Sequence, residues 1–126
     1  MSESALNVSV ISPVKELYTG EADYVKVPGV AGSFGILKNH APLVAQLDIG
    51  ILEVKKASET FKMVIDGGFI EVQANKINVL ANGGALANDL KEEELSSQLK
   101  ELSSSSTKNK NIETKKLKTR LKLLGK

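Results

Sequence analysis

The chain has 126 residues, the length of one ordinary domain with a small appendage, and its 41% hydrophobic content can supply a core. Because it holds no Cys and a single His, disulfide frameworks, thiolate metal sites and multi-histidine zinc or iron sites are excluded, whereas an all-carboxylate Ca²⁺ or Mg²⁺ site stays open. No apolar run approaches the ~18 residues of a membrane-spanning helix, and the N-terminus lacks the features of a signal peptide. We therefore expect the mature protein to begin at or near Met1.

The net charge of +2 averages over two parts of opposite sign. Residues 1–87 carry seven bases against nine acids, a net charge of −2, whereas residues 88–126 carry ten bases against six acids, a net charge of +4. The last twenty residues alone carry eight bases and one acid. The chain thus combines a mildly acidic body with a strongly basic tail.

Up to about residue 82 the sequence has the pattern of β-strands. Apolar residues alternate with polar ones and β-branched types dominate, as expected for strands with one buried face. Turn formers such as the tripeptide at 66–68 and the pair at 75–76 separate short apolar runs. About seven or more short strands within roughly eighty residues predict a β-sandwich or barrel. The clearest predicted strands lie at 6–10, 25–27, 49–54, 61–65, 69–73 and 77–80.

After residue 84, good helix formers replace the β-branched residues. We expect a first helix capped by Asn88 or Asp89, with the acidic run at 92–94 near its positive end, and a second helix at about 111–124. The hydroxyl-rich segment 103–107 should separate them. The predicted domains are a β-sandwich at 1–84 and a helical domain at 85–126. Leucines at spacings of three and four form one stripe on each helix and predict an antiparallel hairpin: Leu95, Leu99, Leu102, Leu117, Leu121 and Leu124.

No catalytic, cofactor-binding or metal-binding motif stands out. The glycine-rich segments at 29–35 and 66–69 are not followed by a Lys-Ser/Thr pair and open no helix, so we interpret them as turns. His40 lies in a turn-like segment without an identifiable nucleophile or acid, which favours a surface histidine over a general base. The carboxylates show no catalytic spacing. We predict no catalytic residue, no metal and no cofactor.

The basic tail allows several interpretations. Nucleic-acid binding is disfavoured because all five aromatic residues lie at or before Phe69, away from the tail lysines. Membrane-surface binding would need bulkier apolar anchors than leucines and Ile112. Docking on an acidic protein surface needs no aromatic residues and ranks first, with a merely solvated charged face as the alternative.

Four segments, in order along the chain, resemble the epsilon subunit of bacterial F-type ATP synthases. Residues 32–50, GSFGILKNHAPLVAQLDIG, are similar to the family's most recognisable segment. Residues 66–72 contain its Gly-Gly-Phe-x-Glu-Val strand start, and the resemblance continues through residues 77–81. At the N-terminus, residues 8–13 followed by 17–21 look like its opening hairpin. The resemblance implies a flattened, jelly-roll-like β-sandwich followed by a two-helix C-terminal domain. It also implies a non-catalytic subunit of the central rotor.

The same resemblance implies partners. The sandwich would bind the gamma subunit and rest on the c-ring, transmitting torque, at the cytoplasmic face of the bacterial inner membrane. The helical domain would either fold down as a hairpin or extend into the catalytic head, where it would meet the alpha and beta subunits and restrain ATP hydrolysis. The motif positions assign to the c-ring end Ser33, Phe34, Lys38, Asn39 and His40. The tail bases that would face acidic segments of the beta subunits are Lys108, Lys110, Lys115, Lys116, Lys118, Arg120 and Lys122.

One departure from the family concerns ATP. ATP-sensing members carry Ile/Leu-Asp-x-x-Arg-Ala at the start of the first C-terminal helix, but in this chain Leu90 is followed by Lys91 at the Asp position and by Glu94 at the Arg position. Three consecutive glutamates would repel a triphosphate, so we predict no useful ATP binding. The alternative functions are a free-standing β-sandwich module whose basic tail binds an acidic ligand or nucleic acid and, more remotely, a barrel hydrolase using His40.

Overall fold

The computed structural model describes residues 5–103 and 110–125. Within these ranges, eight strands precede a short 3₁₀ turn at Ala87–Asp89 and two helices. The order of strands followed by two helices is the predicted one, whereas the 3₁₀ turn was not predicted. The strands are β1 (Leu6–Ile11), β2 (Glu16–Ala22), β3 (Tyr24–Gly29), β4 (Gly32–Leu37), β5 (Leu43–Lys56), β6 (Glu59–Gln73), β7 (Lys76–Ala81) and β8 (Gly84–Leu86). The helices are α1 (Glu92–Ser103) and α2 (Lys110–Leu123).

The strands pair in the order β2-β1-β7-β6-β5-β3-β4, and β8 pairs with β6. Neighbours are antiparallel except β1 and β7, which run parallel. Over the described residues β2 and β4 end the path without pairing with each other, so the sheet is not closed into a barrel. The predicted sandwich is therefore confirmed, and the barrel alternative is not.

The two longest strands bend and so divide the sheet into two layers. Residues 43–47 of β5 pair with 68–72 of β6, and residues 49–56 pair with 59–66, so Asp48 and Gly67 face each other without a ladder pair. The sequence predicts a turn at 66–68 that ends a strand, and this prediction is wrong. Gly67 (φ +86°) and Gly68 (φ +142°) let β6 change direction while its pairing continues. We call β1, β2, β7 and the adjoining halves of β5 and β6 the first layer, and the remainder the second layer.

The inward-facing residues of both layers form a single hydrophobic core. Alternate residues of β1 (Leu6, Val8, Val10) are buried, and so are alternate residues of β7 (Ile77 and Val79), which confirms the period-two pattern in the sequence. The second layer contributes Val25, Val27, Ile36, Leu52, Val54, Met63 and Ile65. These residues hold the two layers together by apolar burial.

The helices pack against each other, and α2 also packs against β5 and β6. Helix α1 begins at Glu92, so the predicted cap at Asn88 or Asp89 is wrong: both residues belong to the separate 3₁₀ turn. The side chain of Val64 is fully buried although its neighbours Met63 and Ile65 lie in the core on the opposite face of β6. Helix α2 therefore lies over the outer face of the second layer. No helix in the described part of the chain is long and apolar enough to cross a membrane.

Candidate functional site

Among the described residues, the least exposed ion pair between α2 and the sandwich is a two-point contact. Arg120 of α2 donates through Nη1 and Nη2 to the two carboxylate oxygens of Asp66, at 2.7 and 2.8 Å. The side chains are only 16% and 10% exposed. Paired N–H···O bonds between a guanidinium and a carboxylate are strong and directional, and water screens them little when they are shielded. This contact fixes the position of α2 on the bend of β6.

Glycine geometry holds Asp66 in place. The backbone N–H of Asp66 donates to the carbonyl of Gly83 at 2.9 Å, and the backbone N–H of Asn82 donates to the carbonyl of Gly67 at 2.9 Å. A Cβ atom on Gly83 would lie 2.7 Å from the Asp66 carboxylate oxygen Oδ2. The segment after β7 therefore leaves room for the carboxylate and helps to orient it toward Arg120.

A second ion pair joins α2 to the bend of β5. Lys115 Nζ donates to Asp48 Oδ2 at 3.0 Å, and both side chains are about half exposed. The hydrogen bond from Lys115 lowers the pKa of the Asp48 carboxyl below its ordinary value, and the backbone N–H of Ile49 adds to the effect. Next to this pair an open cleft of about 670 Å³ separates α2 from the sheet. Its charged lining includes Lys26, Asp48, Glu53, Lys62, Lys115 and Lys122.

We expect the Asp48 contact to weaken in acid. Because the folded-state pKa of Asp48 is lowered, its contribution to stability is present above the unfolded-state pKa, about 3.9, and is lost as the pH falls through the folded-state value. Since both groups are half exposed, the contribution should be at most about 1 kcal/mol. Urea unfolding of wild type and Asp48→Asn, followed by circular dichroism, checks this: the difference seen at pH 6 should be smaller at pH 2.5. A difference unchanged at pH 2.5 would mean that the ion pair is not its source.

A third ion pair ties down the connection between the domains. Lys15, in the turn between β1 and β2, donates to Asp89 at 2.5 Å. This hydrogen bond lowers the pKa of Asp89. The linker is thus attached to one edge of the sandwich, while Arg120 and Lys115 attach α2 to the bends of β6 and β5.

The residues predicted to face the c-ring lie at the two ends of β4. Ser33 and Phe34 are near its start, where Ser33 lines the cleft beside α2 and Phe34 packs against the core. Lys38, Asn39 and His40 follow its end, about 17 Å away for a six-residue strand. The structure therefore brings Lys38, Asn39 and His40 together and separates them from Ser33.

The loop at 38–40 is held in a defined shape. The Asn39 backbone N–H donates to the side-chain oxygen of Asn75 at 2.6 Å, and Asn39 itself has a φ of +66°. His40 is half buried, and its Nδ1 lies 2.7 Å from the Ala41 carbonyl oxygen. Lys38 is exposed. The loop and the β6–β7 turn thus form one end of the sandwich, away from the ion pairs with α2.

The tail residues differ in their surroundings. Lys116 pairs with Glu113 of the same helix at 3.6 Å, whereas Lys118 and Lys122 are exposed and make no ion pair with another described residue. Lys108 and the side chain of Lys110 lie outside the described residues, as does most of the segment predicted to separate the helices. The leucines of the two predicted stripes are shielded to different degrees: Leu95 is buried, and Leu99, Leu102, Leu117, Leu121 and Leu124 are half buried.

An apolar strip crosses the outer face of the first layer. Ile11, Leu80 and Phe69 are directly opposite one another on β1, β7 and β6, and Val44 lies diagonally beyond them on β5. They are 39%, 56%, 54% and 72% exposed, respectively. The residues in register beside the strip are mostly uncharged: Ser9, Asn78, Gln46 and Glu71. Large apolar side chains grouped in this way on a monomer mark an interaction surface.

Sequence reasoning did not find Asp48 or Asp66 as partners of the tail. Each pair spans more than fifty residues of sequence, with no periodic pattern to connect its members. The one available signal was the charge division, since a −2 body and a +4 tail attract each other. The apolar strip was also missed, because Phe69, Leu80 and Val44 occupy the polar positions of otherwise alternating strands.

Residues 5–87 match the family model of the ATP synthase delta/epsilon chain β-sandwich domain. The ATP synthase epsilon chain of Leptospira borgpetersenii is 49% identical over 117 residues, 92% of each chain. The chain belongs to the ATP synthase epsilon family. The epsilon chain of Leptospira interrogans is 53% identical over 90 residues, 71% of each chain.

Two solved assemblies contain chains of the same fold. A chain of the Euglena gracilis mitochondrial ATP synthase (OSCP/F1/c-ring) superposes with a TM-score of 0.82 at 21% identity, covering 96% of this chain and 82% of the other. A chain of the Tetrahymena thermophila mitochondrial ATP synthase (central stalk and c-ring) gives a TM-score of 0.64 at 18% identity, covering 95% and 93%. Family membership confirms the predicted non-catalytic role: the epsilon chain is an accessory subunit of ATP synthase.

Proposed function

We propose that the chain is a central-stalk subunit of a rotary ATP synthase at the cytoplasmic face of a bacterial inner membrane. Its sandwich binds the gamma subunit and contacts the c-ring, and so helps to transmit ion-driven rotation to the catalytic head. Its helical domain restrains ATP hydrolysis when it extends between the alpha and beta subunits. The proposal combines family membership with one observation: the sandwich has two apolar outer faces, and over the described residues the helical domain covers the face on the second layer.

The outer face of the second layer is an example of an apolar surface of this sandwich that is covered by a neighbouring element. On the second layer, Ile51 and Val64 are directly opposite each other, and Val64 is fully buried beneath the helical domain. The strip on the first layer also consists of large apolar side chains, but these side chains are exposed. Interfaces in permanent complexes have apolar, poorly charged centres. The strip therefore fits a permanent neighbour in the rotor, and we assign it to gamma, which leaves the tail free to move on the opposite side.

The loop at 38–40 is assigned to the c-ring. It lies at the end of the sandwich away from the ion pairs of α2, and the Asn39–Asn75 hydrogen bond gives it a fixed shape. Its exposed Lys38 and Asn39 can donate hydrogen bonds to polar or acidic loops. Contacts of this kind set orientation and specificity more than affinity.

Co-purification tests the proposed partners. Tagged chain expressed from its own locus should co-purify with gamma and the c-ring after gentle detergent extraction. Recovery of nucleic acid or an unrelated acidic protein, without ATP synthase subunits, would instead favour the free-standing binding module.

The strip makes a sharper prediction about gamma. The double variant Phe69→Ser with Leu80→Ser should weaken the affinity for purified gamma by at least about tenfold, because central apolar residues carry most of the binding free energy. Both side chains are more than half exposed, so the variant should fold. The measurement is titration calorimetry, with Ile112→Ser on α2 as a control of similar exposure, 51%. Equal affinity of the double variant and the control would contradict the assignment.

A further inference from the structure

Four bases of α2 differ in what their side chains contact, while Lys116 pairs with Glu113 inside the helix. Arg120 and Lys115 each bind an aspartate of the sandwich, at the bends of β6 and β5. Lys118 and Lys122 are exposed and have no ion-pair partner among the described residues. While α2 is docked, Lys118 and Lys122 are therefore free to meet an acidic surface on another subunit.

The Arg120 contact is built differently from the others. Arg120 is the single arginine of the chain, against sixteen lysines. It binds both oxygens of Asp66, and both side chains are more than four-fifths shielded. A lysine could not reproduce this planar, two-point geometry. The exposed Lys115–Asp48 pair is weaker, because water and salt screen it.

We propose that the Arg120–Asp66 ion pair retains the tail on the sandwich and must break before the tail can enter the catalytic head. This inference rests on the proposed inhibitory function and specifies its regulation. Arg120 then opposes inhibition, whereas Lys118 and Lys122 promote it by facing acidic residues of the head. The tail bases, grouped together by sequence, therefore have opposite effects, since a contact made only in the docked state shifts the population toward that state.

Hydrogen exchange on the full-length chain tests the retaining contact directly. Asp66→Asn and Arg120→Gln should each speed amide exchange in α2 by about tenfold, because each removes a charge-assisted pair. Arg120→Gln leaves the sandwich sequence intact and so decides the matter if Asp66→Asn is poorly folded. Glu21→Gln removes one acid from the sandwich away from α2 and should leave exchange unchanged. Wild-type exchange rates in Arg120→Gln would overturn the proposal.

ATP hydrolysis by the assembled enzyme tests the predicted opposite signs. Arg120→Gln should lower hydrolysis, because more tails leave the sandwich for the head. The pair Lys118→Gln with Lys122→Gln should raise it, because those tails bind the head less well. If Arg120→Gln raises hydrolysis as the lysine pair does, Arg120 acts in the head and the proposal is wrong.

Deleting residues 88–126 separates failure of this inference from failure of the proposed function. If the deletion leaves hydrolysis unchanged, the inhibitory role itself fails, and the exchange measurement still decides whether Arg120–Asp66 retains the tail. If the deletion raises hydrolysis while Arg120→Gln changes neither exchange nor hydrolysis, the inhibitory role stands and the retaining contact is wrong.

Discussion

Removing residues 88–126 should raise ATP hydrolysis by the assembled enzyme while leaving assembly intact. The sandwich core ends at Ala81, so the truncated chain keeps all its core residues. It also keeps the apolar strip and the loop at 38–40. We expect a roughly two- to tenfold increase, the range that results if between half and nine-tenths of the complexes hold the tail in the head. Steady-state hydrolysis by purified enzyme, normalised to bound chain, measures the effect.

A shorter deletion provides the matched control. Removing only residues 108–126 eliminates α2 and the predicted inhibitory bases but leaves α1 and the Lys15–Asp89 linker contact. It should increase hydrolysis as much as the longer deletion, because the basic helix is assigned the restraining role. Unchanged hydrolysis in both truncated forms, with normal incorporation, would remove inhibition from the function of this chain.

Gly68→Ala should be the most damaging small substitution in the sandwich. Gly68 has a φ of +142°, and an added Cβ would lie 2.1 Å from the Leu80 carbonyl oxygen and 2.9 Å from the Ala81 Cα. Both neighbours are backbone atoms of β7, so relief requires parting β6 from β7 at the bend. We expect the free energy of unfolding to fall by about 3 kcal/mol or more, a large fraction of the stability of an ordinary domain. Urea unfolding followed by circular dichroism measures it.

Gly32→Ala separates the clash from backbone strain. Gly32 also has a positive φ, +129°, but an added Cβ would meet no atom within 4 Å. This variant should therefore lose only about 1 kcal/mol, the cost of an unfavourable backbone conformation. Equal losses in the two variants would show that the close approach of β6 and β7 at the bend does not matter.

The local structure could largely be predicted from the sequence. Alternation identified β1 and β7, and helix-forming residues located both helices to within a few residues. The leucines of both stripes are buried or half buried. These features depend on near neighbours in the chain, whose periodicity reports directly which face is buried.

The features that required tertiary structure could not be predicted. A Gly-Gly pair ends many strands, and only the pairing of β6 with both halves of β5 shows that the strand continues through Asp66. The same bend brings Asp66 to Arg120, fifty-four positions away. The predicted helix cap failed because Asp89 instead binds Lys15, another distant partner. The sequence indicated an acidic partner for the basic tail, and in the docked form that partner includes the sandwich of the same chain.

A structure of the nucleotide-free ATP synthase containing this chain tests the proposed rotor role most directly. We predict that Ile11, Val44, Phe69 and Leu80 are buried against gamma, and that the loop at 38–40 is the part of the sandwich nearest the c-ring. Complexes with α2 docked should retain the Arg120–Asp66 pair, and those with α2 in the head should lack it. A sandwich bound outside the rotor, or one whose apolar strip stays exposed in the complex, would contradict the proposal.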